Sequence, residues 1–295
     1  MTFAQILPQV ANGLVLGSMY ALVAIGFSLV LGSLHRLNLA HPEMFMLGGF
    51  VALVGSQYGL PAWLGGLAAF GVGGVAGLTV ERISFRGGIG GDAEDVAALS
   101  SVAVGVVLVD LVQKIWGTEP VPLVETAAAW SVRLLGVRFT GVQLGIVAAA
   151  FALMAVLHLV LRRTRLGRAI RAVAENPAHA TLLGIDARRT TQMVFLLSAG
   201  LGAVAGFMLA LRLGTASSDI GFGFGLKALA VMAIGGMADL RGAVAGGLII
   251  GVVESLAVQF GLGRLADLSV WALLILVLVL RPQGLFGGPV AAVRA

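Results

Sequence analysis

About nine apolar stretches follow one another along the chain, at roughly 9–32, 42–58, 62–80, 96–115, 141–161, 190–211, 226–237, 242–260 and 267–280. A hydrocarbon core about 30 Å thick takes about 20 helical residues, so most of these stretches match a bilayer rather than the interior of a soluble domain. Composition agrees. Of 295 residues, 59% are hydrophobic and 11% charged, whereas soluble chains carry about 25% charged residues because their surfaces face water. The pattern predicts an all-α integral membrane protein, a polytopic bundle of about 8–9 transmembrane helices forming one domain over residues 1–295.

The net charge of +5 raises nucleic acid as a partner. The basic residues, however, flank apolar stretches instead of interleaving with aromatics, so the excess reads as membrane topology and no nucleic acid is expected. There is no cysteine, which excludes disulfides and thiolate metal sites. Met1 to Val10 lacks a basic leading region, so a cleaved signal peptide is not expected.

Orientation follows from the segment 162–189, which holds Arg162, Arg163, Arg165, Arg168, Arg171, Arg188 and Arg189. With that loop in the cytoplasm, alternation brings Arg36, Arg82, Arg86, Arg241, Arg281 and Arg294 inside as well, about 13 of the 19 lysines and arginines. The N-terminus is then outside and the C-terminus cytoplasmic. The connection 116–140 becomes external and is expected to be a plain loop.

The stretch from Leu226 to Met237 is too short to cross unaided. Gly221, Gly223 and Gly225 precede it, and Gly235 and Gly236 end it. It reads as a broken or re-entrant helix beside the solute path, because irregular backbone at membrane depth needs protein or water around it. Glycines four residues apart recur at 13/17, 73/77, 202/206, 242/246 and 247/251, a spacing that puts both on one helix face and lets backbones approach.

What is missing narrows the chemistry. The lysines, Lys114 and Lys227, are followed by Ile115 and Ala228, so there is no G-x-x-x-x-G-K-[ST] phosphate loop. ATP hydrolysis, if it drives the protein, belongs to a separate subunit. There is no H-E-x-x-H and no G-x-S-x-G, and His35, His41, His158 and His179 are scattered. The chain is therefore not read as an enzyme, and no metal or cofactor is expected.

Within the basic segment, Asn176 suits a helix N-cap, Pro177 the first helical position and Gly184 the left-handed position past a helix end. The intervening helix is about two turns long, too short to stand alone in water. Its apolar residues Ala178, Leu182, Leu183 and Ile185 suit either the bundle or a partner's groove. A docking element and a merely basic flank are equal readings on these residues.

Gly167-Arg168-Ala169-Ile170-Arg171-Ala172, with Glu175-Asn176-Pro177 and Leu183-Gly184-Ile185, resembles the cytoplasmic coupling loop of branched-chain amino-acid ABC importer permeases of the LivH type. The likeness runs along almost the whole chain. It includes Asn12-Gly13-Leu14, Leu16 to Leu22, Asn38-Leu39-Ala40-His41, Met44 to Gly48, Lys227-Ala228, Gly235-Gly236, Gly246-Gly247, Glu254 and the closing Arg281-Pro282-Gln283-Gly284-Leu285-Phe286-Gly287. Two places depart: Pro42-Glu43 stands where the family commonly has glycine and aspartate, and the 82–98 loop lacks an Arg-Pro-Leu-Arg run.

The resemblance implies a permease subunit carrying branched-chain or other small amino acids across a bacterial inner membrane. Its partners would be a second, LivM-like permease subunit, cytoplasmic ATP-binding subunits, an external solute-binding protein and membrane lipid. Coupling to the ATPase would fall to Arg168, Arg171, Glu175, Asn176, Pro177 and Gly184, and the translocation path to Asn38, His41, Glu43, Lys227, Gly235, Gly236 and Glu254. A permease for a sugar or small amide, and an ion-coupled secondary transporter, are the alternatives.

Ionisable groups inside apolar spans mark functional sites by default, which singles out Glu43, Asp110, Lys227 and Glu254. Lys227 and Glu254 fall at similar depth, and two readings stand equal: they pair across neighbouring spans, or each faces the water-filled interior of the bundle on its own. Glu43 is expected to favour a helix start, and Asp110 to lie solvated near an outer helix end.

Overall fold

The computed structural model describes residues 3–86, 93–124, 131–134, 137–237 and 239–287. In chain order the helices are α1 (Phe3–Leu34), α2 (His41–Gln57), α3 (Ala62–Val80), α4 (Ala93–Trp116), α5 (Gly141–Arg163), α6 (Arg165–Glu175), α7 (Pro177–Leu182), α8 (Ala187–Leu213), α9 (Ile220–Gly235), α10 (Leu240–Ala257) and α11 (Ala266–Leu280). A π-turn, Glu81–Phe85, prolongs α3, and another, Val258–Leu262, prolongs α10. Among the described residues, six helices are long and apolar enough to cross a membrane, while α9 and α11 are shorter apolar helices.

Small residues explain how tightly α1, α2, α8 and α10 pack. α1 and α10 run antiparallel with glycines facing: a methyl group on Gly17 would lie 2.6 Å from the Gly247 carbonyl oxygen, and one on Gly13 2.6 Å from Val252 Cα. α8 meets α2 where Gly206 abuts the Phe45 carbonyl oxygen, and meets α3 where Gly77 faces Phe195. All five glycine pairs seen in the sequence thus sit at close helix contacts. Tyr20, Phe27, Phe45, Phe195, Ile234 and Ile250 fill the core between them, whereas α3, α4, α5 and α11 keep broad apolar faces outward.

Two expectations change. α9 begins at Ile220 and contains Gly221, Gly223 and Gly225, so these glycines do not break it. Gly225 lies directly against the Pro42 ring, and a methyl on Gly221 would lie 2.8 Å from the Pro42 carbonyl oxygen. Packing against α2 excludes side chains at these positions. The connection expected as a plain loop instead carries strand β1 (Val121–Pro122) and the hairpin β2 (Ser131–Leu134) with β3 (Val137–Thr140). β1 pairs antiparallel with β4 (Thr215–Ala216), with Val121 opposite Ala216.

The irregular backbone at membrane depth lies elsewhere, between α1 and α2. His41 Nε2 meets the Val23 carbonyl oxygen at 3.3 Å. Val23 is eleven residues back from Leu34, about 16 Å along the helix. His35 N–H closes the last helical bond of α1, to the Leu31 carbonyl (2.8 Å), and from this left-handed residue (φ 56°) residues 36–40 climb back into the bundle as non-helical chain. Their amides find other partners: Ala40 N–H donates to Asn38 Oδ1 (3.1 Å) and Leu39 N–H to Ser101 Oγ on α4 (3.0 Å). Such bonds are what allow a non-helical segment at this depth.

Candidate functional site

Three groups of side chains stand out, at the middle of the bundle, along α9, and at the end where the basic residues gather.

The middle group is built on the climbing segment. Asn38 is buried and bonds the Ala40 amide, and His41 is wholly enclosed by Phe27, Gly26 and Gly202, with Ser198 Oγ 3.4 Å from Nδ1. Ser198 itself donates to the Gly26 carbonyl (2.8 Å), tying α8 to α1 beside the histidine. Glu43 lies in the first turn of α2, where the helix dipole favours a carboxylate. It is only 8% exposed, and its Oε2 has no hydrogen-bond partner among the described residues. The Glu43 side chain lies between Gly105 of α4 and Gly221 of α9: a methyl group on Gly105 would lie 3.2 Å from its Cγ, and one on Gly221 3.1 Å from Oε2.

The second group is an ionic network. Lys227 Nζ lies 2.6 Å from Glu254 Oε1 and 2.6 Å from Asp267 Oδ1, and Tyr20 donates to Glu254 Oε2 at 2.7 Å. Tyr20 stacks on Phe224, which stacks on Phe45, so the network is anchored to the aromatic core. The sequence marked Lys227 and Glu254 but missed the other two members. Asp267 heads an apolar stretch instead of interrupting one, and Tyr20 carries no charge to attract notice. Asp110, by contrast, is exposed and paired with Lys114 at 2.7 Å, as a solvated helix end would be.

Because the Lys227 and Glu254 side chains are largely buried, Lys227→Met is expected to lower stability by about 3 kcal/mol, the cost of leaving a buried charge unpaired. The double variant Lys227→Met, Glu254→Leu should recover part of that loss. Thermal unfolding of the purified protein in detergent checks this, and equal destabilisation by both variants would contradict the pairing.

Gly235 and Gly236 serve backbone packing. Gly235 abuts Gly242 at the α9–α10 turn, while Gly236 (φ 110°) lies against Gly284 and Gly287 of the closing segment. Leu285 and Phe286 donate to the Ile234 and Gly235 carbonyls at 2.8 and 3.0 Å, capping the end of α9.

The third group lies at the basic end. Thr164 caps α6, its Oγ accepting from Gly167 N–H at 3.2 Å, and Gly167 itself presses on the Leu161 carbonyl. Ile170 and Val173 bury one face of α6, Arg168 projects outward, and Arg171 Nη1 donates to the Leu161 carbonyl. Asn176 Oδ1 accepts from Ala178 N–H (2.9 Å) and His179 N–H (3.0 Å), with Pro177 opening α7. Gly184 adopts φ 81° and the chain turns back through Ile185 N–H to the Ala180 carbonyl (3.0 Å). Ala180 packs inward, but Leu182 and Leu183 do not rest on the bundle: they are 84% and 80% exposed. Glu175 and Pro177 also line a cavity of about 470 Å³ shared with His35 and Arg36, the foot of the climbing segment.

Residues 9–279 match the family described as branched-chain amino acid transport system, permease component. The chain is 33% identical over 97% of its length to the high-affinity branched-chain amino acid transport system permease protein LivH of Escherichia coli, of which 97% is covered. It is similarly 33% identical over 96% of both chains to the corresponding permease protein BraD of Pseudomonas aeruginosa. The fructose import permease protein FruG of Bifidobacterium longum is 31% identical over 47% of this chain and 41% of its own.

Proposed function

This chain belongs to the family of branched-chain amino acid transport permeases, and from that premise we propose how it carries solute and how it is driven. It is a multi-pass inner-membrane permease component of an ABC importer. The six long apolar helices, the shorter α9 and α11, and α2 lie in the membrane, with the N-terminus outside and the basic end in the cytoplasm, the orientation favoured by the arginine distribution. A second permease completes the pathway, ATP-binding subunits dock beneath, and an external binding protein delivers branched-chain or other small amino acids.

The observation that carries this reading is the Leu182–Leu183 pair at the C-terminal end of α7. A capped two-turn helix that turns two leucines outward from a basic rim suits an apolar groove on a cytoplasmic partner. The chain has no phosphate loop of its own, so that partner supplies the ATPase. Arg168, Arg171, Glu175, Asn176, Pro177 and Gly184 form and orient the contact. Glu175 and Pro177 share a cavity wall with Arg36, so displacement of α7 reaches the segment leading to Asn38, His41 and Glu43. Those residues and the Lys227–Glu254 network border the path, and Gly235 and Gly236 shape its inner end. The fructose permease matches less than half of either chain, which favours an amino acid over a sugar.

The test is to purify the chain with its ATPase and binding protein and to identify the binding protein's ligand by mass spectrometry. Leucine, isoleucine, valine or another small amino acid is the expected ligand, with ATP-dependent uptake in proteoliposomes. A bound sugar, or uptake by the isolated chain on an ion gradient, would overturn the reading.

A further inference from the structure

α5 and α10 each pack on α1 but scarcely touch one another. Between them runs a cavity of about 450 Å³. Its floor is Ile25 of α1, one wall is Phe151, Ala155 and His158 of α5, and the other is Val244 and Arg241 of α10. Helical spacing explains the α5 wall. Ile146, Ala150, Met154 and Leu157 are the buried stripe that α5 turns into the bundle, and residues 151, 155 and 158 form the next stripe round the helix. All three helices are long and apolar enough to span a bilayer, so the open side of the cavity meets acyl chains.

The lining changes character along the helix axes. Ile25, Phe151, Ala155 and Val244 make one end apolar. Toward the basic end come His158, about 7.5 Å short of Arg163 at the end of α5, and Arg241, the second residue of α10. Arg162 continues the 151, 155, 158 stripe at four-residue spacing, so a cation stands on each wall where the helices leave the membrane. Both arginines are exposed, and among the described residues neither enters an ion pair. Asp239, two residues from Arg241, is engaged as the cap of α10, its Oδ1 accepting from Arg241 N–H (2.8 Å) and Gly242 N–H (3.4 Å).

We propose that this groove binds an anionic phospholipid of the leaflet on the basic side, with one acyl chain along α1 between α5 and α10 and the phosphate held by Arg162 and Arg241. A slot that is apolar within the membrane and doubly cationic at its mouth has the polarity of one such lipid. Guanidinium groups pair with phosphate through parallel N–H bonds, and basic pockets between membrane helices recognise anionic headgroups. A choline or ethanolamine headgroup would add a positive charge beside two arginines, which selects a headgroup of net negative charge. The chain in the slot restores the contacts that a void between α5 and α10 forfeits. It also braces α5, which leads directly into α6 and α7. The site needs only that α1, α5 and α10 lie in a bilayer and stands whatever solute is carried.

The full chain, purified in detergent, is titrated with dioleoyl phosphatidylglycerol, dioleoyl phosphatidylcholine or inorganic phosphate. Bound lipid is read by native mass spectrometry and stability by thermal unfolding. Phosphatidylglycerol is expected to be retained and to raise the unfolding midpoint, phosphatidylcholine to act more weakly, and phosphate to have no effect. Arg162→Gln with Arg241→Gln should weaken phosphatidylglycerol binding about thirtyfold and erase its advantage over phosphatidylcholine. Ala155→Trp, which fills the slot from an exposed position, should weaken both lipids while the arginines stay in place. Three results would overturn the proposal: equal binding of the two lipids by the unmodified chain, an effect reproduced by inorganic phosphate alone, or a phosphatidylglycerol preference that survives the substitutions. So would a second copy of the chain in the groove, seen as a dimer that Ala155→Trp dissociates and that carries no lipid.

Discussion

Leu182→Asp combined with Leu183→Asp is expected to abolish transport while leaving the protein folded in the membrane. Both side chains are almost fully exposed, so the bundle loses no core contact. In the proposed complex the same two leucines fill a partner's apolar groove. Two carboxylates there lose the apolar burial and add desolvation, which together cost about 3 kcal/mol or more, roughly a hundredfold in association. ATPase stimulation and uptake should fall together, while insertion and thermal stability stay near those of the unmodified protein. Gly184→Val should act in the same direction by another route. Its φ of 81° is strained for a β-branched residue by about 1–2 kcal/mol, which loosens the end of α7 without changing its surface. Normal uptake in the double aspartate variant would remove α7 from the mechanism.

Gly206→Ala and Gly145→Ala are expected to have opposite effects, although each adds one methyl group inside a membrane helix. At Gly206 that methyl would run into the Phe45 carbonyl, backbone against backbone, and only separation of α8 from α2 can relieve it. Because α2 and α8 hold His41 and Ser198, the damage reaches the middle of the bundle. A loss of about 3 kcal/mol or more is expected, at the upper end for overpacked cores, seen as low folded yield in detergent. Gly145, on the outward side of α5, has nothing within 4 Å of the added methyl. There the alanine should be neutral, or stabilising by up to about 1 kcal/mol through helix propensity. Equal yields from the two variants would contradict the packing described for α2 and α8.

The parts legible in the sequence were those set by local chemistry. Apolar stretches marked the helices because burial in lipid demands continuous hydrophobic runs. Asn176, Pro177 and Gly184 marked the ends of α7 because each satisfies a backbone requirement visible at one position. What remained hidden depended on partners distant in sequence. Gly221 and Gly225 read as helix breakers because the sequence does not reveal Pro42 packed against them. The climb of residues 36–40 was missed because its amides are satisfied by Asn38 and by Ser101 on another helix. Asp267 escaped notice because its lysine partner lies forty residues away, on α9.

Among the named site residues, Lys227 and Glu254 lie together, and Asn38, His41 and Glu43 share one corner of the bundle. Gly235 and Gly236 stand apart from both groups, in backbone contacts at the basic end. The glycines were visible as a motif, but their contacts with Gly242, Gly284 and Gly287 were not, because those partners lie elsewhere in the sequence.

The claim that ATP hydrolysis enters this chain through α7 has a direct physical test. With no cysteine in the sequence, Leu183→Cys introduces a single exposed thiol at the C-terminal cap of that helix. Labelled with a photoreactive maleimide in the assembled transporter, it should cross-link to the ATP-binding subunit, and adding nucleotide should change the yield. Cross-linking only to lipid or to this chain's own bundle, with nucleotide making no difference, would contradict it.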